Sequence, residues 1–242
     1  MTLLALNGIG KRFGGLKALD DVSFDVASGE IVGIMGANGA GKTTLFSLIA
    51  GHQKPGSGTI RFDGSDIAGQ RPDAINRRGI ARTFQIVRPF RTMSVRENVT
   101  IGALFGAGAD DTQTAERDAE RILGELALAA DADRPAGSLT LAGQKRLEMA
   151  RALATRPRLL LLDEVMAGLT PTEVAAAIET IRAIHRNYNL TILVIEHVMH
   201  ALMQLAVRIV VLHHGLKIAE GTPAEIAVSP IVQEAYLGKD AA

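Results

Sequence analysis

The stretch GANGAGKTT (36–44) sets three glycines ahead of a lysine and two threonines, the pattern G-x-x-x-x-G-K-[ST] carried by Gly36, Gly41, Lys42 and Thr43. The chemistry that needs these residue types is the holding of phosphate. Glycines let successive backbone N–H groups turn inward around phosphate oxygens, and the N-terminus of a following helix adds about half a positive charge. Lys42 reaches toward the outer phosphates, and the Thr43 hydroxyl suits Mg²⁺. A second group, LLLLDE (159–164), ends an apolar run in two acids. Asp163 stands where a Mg²⁺ ligand, direct or through water, belongs. Glu164 can polarise an attacking water, a contribution of about 10²–10⁴ in rate for a positioned base. His197, in TILVIEHVMH (191–200), also follows an apolar run, where an imidazole can touch a γ-phosphate. Adjacent acids at such a place favour hydrolysis over transfer to an acceptor.

These groups need elements to aim them. EIVGIM (30–35), RLLLLD (158–163), TILVIE (191–196) and RIVVLH (208–213) read as buried strands. Their alternation with helical patterns predicts an α/β fold with a mostly parallel sheet. Segments 3–9 and 21–26 alternate between apolar and polar residues and, with TIRFDG (59–64), predict an antiparallel flank. HHGLKIAEG (213–221) reads as a hairpin turn and a short strand. Helices are expected over 42–50, 116–129, 144–154, 172–187 and 199–206, with Gly51 stopping the first and Pro171 suiting the start of the fourth. Between 87 and 141 the strand signals vanish. That stretch reads as a helical insert containing the Gly- and Ala-rich loop FGAGADDTQ (105–113).

The chain has 242 residues, 47% hydrophobic and 21% charged, which fits one core or a core with a lobe and argues against disorder. Its 26 basic and 26 acidic residues cancel, so nothing global favours nucleic acid or an acidic membrane surface. The absence of cysteine excludes a disulfide scaffold and a thiolate metal site. With no basic apolar leader and no apolar run near 18 residues, a soluble, cytoplasmic protein is expected. One local bias remains: Arg71, Arg77, Arg78, Arg82, Arg88, Arg91 and Arg96 fall within 26 positions. Nucleic-acid binding, a solvated face and a docking surface all remain open for this run. Few aromatics and zero net charge argue against the first, and PFRTM (89–93) adds an apolar patch that suits the last.

Together these residues resemble the ATP-binding subunits of ABC transporters, and the resemblance covers nearly the whole chain. ARTFQ (81–85) resembles the family's Q-loop with Gln85, His197 matches its switch histidine, and Phe13 matches the aromatic that stacks on adenine, although a lone Phe also suits a core. The family's signature L-S-G-G-Q begins about 24 positions before the strand-end aspartate. Leu139 stands at that place, so Leu139, Thr140, Leu141, Ala142 and Gly143 fill the five positions. Setting Ala142, Gly143 and Gln144 on G-G-Q instead slips by one and puts Leu141 where a hydroxyl is needed. The signature is therefore degenerate: it keeps the hydroxyl and loses both central glycines and the glutamine. A plain helix N-cap at Thr140 stays open as the alternative. Val165 stands where the family has proline and Thr170 where it has aspartate, which removes a carboxylate contact across the pair.

The resemblance implies a P-loop ATPase core of mostly parallel sheet with an antiparallel β flank and a helical insert subdomain. It is expected to be one ABC ATPase domain, with core over 1–86 and 155–242 and the insert and signature over 87–154. ATP would be bound by Phe13, Gly36, Asn38, Gly39, Ala40, Gly41, Lys42, Thr43, Thr44, Gln85 and Thr140. Mg²⁺ would lie on Thr43, Gln85 and Asp163, and catalysis would fall to Glu164, His197 and Lys42. The implied partners are integral membrane permease subunits and a second ATPase, identical or paralogous, in a head-to-tail dimer, with no nucleic acid. The implied place is the cytoplasmic face of the membrane, as a peripheral protein. GIARTFQIVRPFRTMSVRENV (79–99) and GTPAEIAVSPIVQEAYLG (221–238) resemble importers of branched-chain or hydrophobic amino acids. A lipopolysaccharide-export ATPase, whose C-terminal pattern is similar, and a non-transport ABC clamp are the alternatives.

Overall fold

The structure is a computed structural model that describes residues 1–106 and 111–237. Four residues of the expected loop 105–113, and the last residue of the segment 221–238, lie outside the described residues. In chain order the elements are β1 (Thr2–Phe13), β2 (Leu16–Ala27), β3 (Ile31–Met35), α1 (Lys42–Ile49), β4 (Ser57–Phe62), β5 (Ser65–Asp66), α2 (Pro72–Arg77) and β6 (Ile80–Arg82). There follow α3 (Val95–Phe105), α4 (Thr112–Glu125), α5 (Leu141–Ala154), β7 (Leu159–Asp163), α6 (Pro171–Tyr188), β8 (Thr191–Ile195), α7 (Met199–Leu205), β9 (Arg208–His213), β10 (Leu216–Gly221), α8 (Pro223–Ala227) and α9 (Pro230–Leu237). They gather into two compact units, one formed by Met1–Pro72 with the chain from Thr191 onward and the other by Asp73–Leu190.

In the first unit the core strand is β3. All five of its residues are buried, and it runs parallel to β8 on one side and β9 on the other. A strand covered on both faces reads as the continuous apolar run IVGIM rather than as an alternation. Helix α7 closes on this strand at Gly33, where a Cβ would come within 2.8 Å of Leu202 Cδ1. Strand β10 returns antiparallel to β9 through the two-residue turn His214–Gly215, with φ of 46° and 82°. Two successive left-handed residues match the twist of the flanking strands. Strands β2, β1, β4 and β5 form the antiparallel flank in that order.

In the second unit β6 and β7 pair in parallel, and α3 packs on α4 and α5. Helix α6 begins with a capping box in which Glu173 N donates to Thr170 Oγ1 at 3.4 Å and Thr170 N donates to Glu173 Oε2 at 2.8 Å, with Pro171 in the first turn. Thr170 is thus committed to its own helix. Thr170→Ala should lower stability by about 1 kcal/mol, read as a drop in Tm of about 2–4 °C for a chain of this size.

The expected α/β class and antiparallel flank agree with this architecture. Helix α5 starts at Leu141 rather than at 144, because Thr140 supplies its cap and the loop residues join the first turn. Helix α4 likewise starts at Thr112, capped by Asp111, and ends before 129. Elements α2 and β6 were not anticipated, and α3 falls within the expected helical insert, where no bounds had been assigned to it. Strand β6 has only three residues, too few for a period, and α3 opens on the capping box Ser94–Glu97 inside an arginine-rich run.

Candidate active site

Residues 36–41 carry the chain from β3 into α1. At Gly36 a Cβ would lie 2.4 Å from the carbonyl oxygen of Leu212, and at Gly41, with φ of 104°, it would lie 2.5 Å from that of Ala18. Only glycine fits this close approach of three backbones. Helix α1 has no side-chain cap and no acid in its first turn, so nothing within the helix itself competes for its N-terminal N–H groups. The buried Lys42 Nζ donates to Gly36 O at 2.6 Å and Ala37 O at 3.1 Å, which holds the ammonium inside the loop. Asn38, Gly39 and Thr43 are exposed, Thr44 is half-buried and Ala40 is buried. The hairpin turn backs the loop: Gly215 N donates to Ala40 O at 3.1 Å, and Asp20 N donates to Gly215 O at 2.8 Å. Phe13 ends β1 with 46% of its surface exposed and the Lys11 ammonium 5.2 Å from its ring centre, so it is not a core residue. His197 is exposed, two residues beyond β8 and next to the buried Glu196.

The acids belong to the second unit. Asp163 ends β7, and its side chain is 1% exposed. Arg82 Nη2 donates to its Oδ2 at 2.8 Å, and its own N–H donates to Thr83 Oγ1 at 3.0 Å. Its Oδ1 is buried and accepts no hydrogen bond. Such an orphan is expensive in a packed interior and calls for a partner there, a water or an ion. Glu164 follows with φ of 51°, a left-handed conformation that costs a side-chain-bearing residue about 1–2 kcal/mol. Its Oε2 accepts from Gln85 Nε2 at 2.6 Å. Beneath them the Lys145 Nζ donates to Glu164 O at 2.8 Å and to Gln85 O at 3.3 Å. A hydrogen bond from a charged group contributes about 1.5–3 kcal/mol, enough to offset the strain at Glu164.

One side of α5 holds the whole turn around Gln85. Three residues after Lys145, Glu148 accepts from Phe84 N at 2.5 Å and from Arg88 N at 3.3 Å. Burial pushes the Glu148 carboxyl above its ordinary value, while those N–H groups and the charges of Arg151 and Lys145 oppose the shift. Three residues further, Arg151 Nη1 donates to Arg88 O at 2.9 Å and its guanidinium lies 4.9 Å from the Phe90 ring centre. Beyond this turn a pocket of about 240 Å³ is lined by Phe84, Phe90, Ile101, Phe105 and Arg151, and Phe105 is 78% exposed.

The signature-like loop precedes α5. Thr140 Oγ1 accepts from Gly143 N at 3.2 Å, as an N-cap, and Gln144 Nε2 donates back to Leu139 O at 3.0 Å. Leu141 is 45% exposed, and a Cβ on Gly168 would come 3.1 Å from its Cδ2. The structure therefore brings Gln85 to Glu164 and gathers 36–44 into one cradle, while Thr140 is engaged in its helix cap. Sequence reasoning missed Lys145, Glu148 and the role of Arg82. The available signal was the pair Lys145 and Glu148, spaced by three, on a helix side that is otherwise apolar.

The sequence pattern of the family described as ABC transporter matches residues 19–167, which contain the phosphate cradle, Gln85, Thr140 and both acids. The chain belongs to this family. A second pattern, described as branched-chain amino acid ATP-binding cassette transporter, matches residues 217–242 of the cassette. The cassette is 40% identical to the high-affinity branched-chain amino acid transport ATP-binding protein BraF of Pseudomonas aeruginosa, over 98% of both chains. It is 39% identical to LivG of Escherichia coli, of the same description, again over 98% of both. Among solved structures, the ATP-binding cassette MJ1267 in its ADP conformation superposes with a TM-score of 0.88 at 32% identity, covering 99% of this chain and 100% of that one. As an ABC ATPase, the chain has the α/β fold and the ATP-binding and hydrolysing character expected from its motifs. The arginine run of the cassette is not one free cationic face. Arg77 pairs with Asp73, Arg82 with Asp163, and Arg96 with Glu120 and Asp133. Among the described residues, no helix is long and apolar enough to cross a membrane.

Proposed function

We propose that this cassette is the ATP-hydrolysing subunit of an importer of branched-chain or other hydrophobic amino acids. The observation that carries the solute class is the match of the chain's closing segment, residues 217–242, to the branched-chain cassette pattern. The end-to-end likeness to BraF and LivG supports it further and favours this reading over lipopolysaccharide export or a non-transport clamp. The chain forms one ABC domain with an α/β core over 1–86 and 155–242 and a helical insert with signature over 87–154.

In this reading Phe13 stacks on adenine, and the N–H groups of residues 36–44 surround the phosphates with Lys42 on the outer ones. Glu164 polarises the attacking water. His197 holds the γ-phosphate, and Lys42 and the loop amides stabilise charge on the transferred phosphoryl group. Mg²⁺ fits the residues present, because Asp163 keeps one buried oxygen without a donor and the exposed residue Thr43 carries a hydroxyl. Among the described residues no three acidic, His or Cys side chains form a cage, which suits a cation held by few protein oxygens plus substrate phosphates. Thr43, Asp163 and Gln85 would hold it, and when bound it neutralises charge on the outer phosphates.

Two ATPase chains, identical or paralogous, pair head to tail, so that Thr140 of one caps ATP held by the other. The pocket of Phe84, Phe90 and Phe105 receives a cytoplasmic helix of the permease, and the cassette sits peripherally on the cytoplasmic face of the membrane. Phe84, Phe90 and Phe105 are each more than 40% exposed beside the Gln85 turn, which supports this docking.

The test uses cells lacking the chain's own gene. The parent chain should restore uptake of labelled leucine and co-purify with an integral membrane protein from solubilised membranes. Phe90→Glu with Phe105→Glu should lose both while still binding ATP. Full leucine uptake in the deleted cells would overturn the solute class, and retained co-purification of the double variant would overturn the docking site.

A further inference from the structure

We propose that Lys145 is a positioning residue for ATP hydrolysis: its ammonium fixes the backbone of Glu164 and of Gln85 at once, and so sets the direction of the Glu164 carboxylate. The proposal rests on the reading that Glu164 activates water.

Lys145 is 5% exposed, and an ammonium is tolerated at that depth only where its N–H groups are met. Two of its acceptors are main-chain carbonyls, those of Glu164 and Gln85, which stand 19 and 60 positions away in the chain. The side chains of these same two residues meet each other at 2.6 Å. One cation therefore holds, from below, both backbones whose side chains converge above.

The conformation of Glu164 explains why such a clamp matters. With φ of 51° its Cα–Cβ bond points where a right-handed or extended residue could not send it. Relaxation of that residue to an ordinary conformation would swing the carboxylate away from Gln85. The bond from Lys145 to Glu164 O, at 2.8 Å, opposes that relaxation.

Lys145 also lines a cavity of about 160 Å³ with Met149, Val165, Leu169 and Ala176, so an unbranched side chain of similar length has room there. What Lys145 contributes lies at its tip. Lys145 stands on the helix capped by Thr140, so this bond ties that helix to the Glu164 backbone.

The test compares the full-length parent with Lys145→Met, Lys145→Arg and Glu164→Gln, measuring kcat, KM and the dissociation constant of a fluorescent ATP analogue. The cavity leaves room for methionine, which keeps the stem and removes the donors. Lys145→Met should lower kcat by about 10- to 100-fold, the scale of a 1 Å misplacement. KM and analogue affinity should stay within about twofold of the parent, the pattern of an interaction that serves turnover rather than binding. Lys145→Arg, which keeps the charge and donors, should recover most of the lost turnover. Should Lys145→Met fail to fold, Lys145→Gln is read by the same criteria. Turnover of Lys145→Met like that of the parent would overturn the proposal, as would a parallel loss of affinity or no recovery with arginine. If Glu164→Gln is inactive while Lys145→Met is fully active, the proposal for Lys145 alone fails. If Glu164→Gln turns over like the parent, the reading of Glu164 fails first.

Discussion

Glu164→Gln is expected to lower ATP turnover by about 10²–10⁴-fold, the contribution of a positioned general base, while ATP remains bound. The substitution is nearly isosteric. The amide can still meet Gln85, whose Nε2 now donates to the carboxylate at 2.6 Å, and the Lys145 bond to the main-chain carbonyl is untouched. What disappears is the capacity to draw a proton from water. Phosphate release in the steady state, measured beside binding of a fluorescent ATP analogue, separates the two effects. Undiminished release would assign water activation to another group, with His197 the first to examine.

Lys42→Ala is expected to weaken ATP binding by about 10- to 100-fold. The ammonium donates to two neutral carbonyls, Gly36 O and Ala37 O. A phosphate oxygen offers it a charged acceptor, and bonds of that kind contribute about 1.5–3 kcal/mol, at about 1.4 kcal/mol per tenfold in affinity. Calorimetric titration with ATP measures the loss directly. The rise of Tm on adding ATP should shrink in parallel, since that rise follows the ratio of ligand concentration to its dissociation constant. Parent-like affinity would remove Lys42 from the phosphate site.

The parts of this site that were legible in the sequence are those whose chemistry uses consecutive residues. A phosphate cradle must be a contiguous loop between a strand and a helix, so residues 36–44 declare themselves. Asp163 and Glu164 do so by following an unbroken apolar strand. Gln85 and Thr140 were singled out only through resemblance, and in the structure the Thr140 hydroxyl caps its own helix, the alternative reading of that residue. What stayed hidden depends on partners far away in the chain. Arg82 lay in a run of arginines, and nothing local reveals that its partner is Asp163, 81 positions on. Lys145 read as one residue in the first turn of an ordinary amphipathic helix, because burial of its charge is decided by the carbonyls of two other segments. Ser94 and Glu97 show the opposite case, a complete helix-start signature present in the sequence and passed over within a charged stretch.

The placement of β3 has a consequence for synthesis. This apolar strand emerges from the ribosome with the phosphate loop directly behind it, yet both strands that flank it, β8 and β9, are translated long after it. The turn that braces Ala40 comes later still. Contacts so distant along the polypeptide form slowly and leave apolar edges unpaired meanwhile. A nascent chain halted before residue 191 therefore holds IVGIM with neither neighbour, a segment for chaperones to cover and a cradle that cannot yet close on nucleotide.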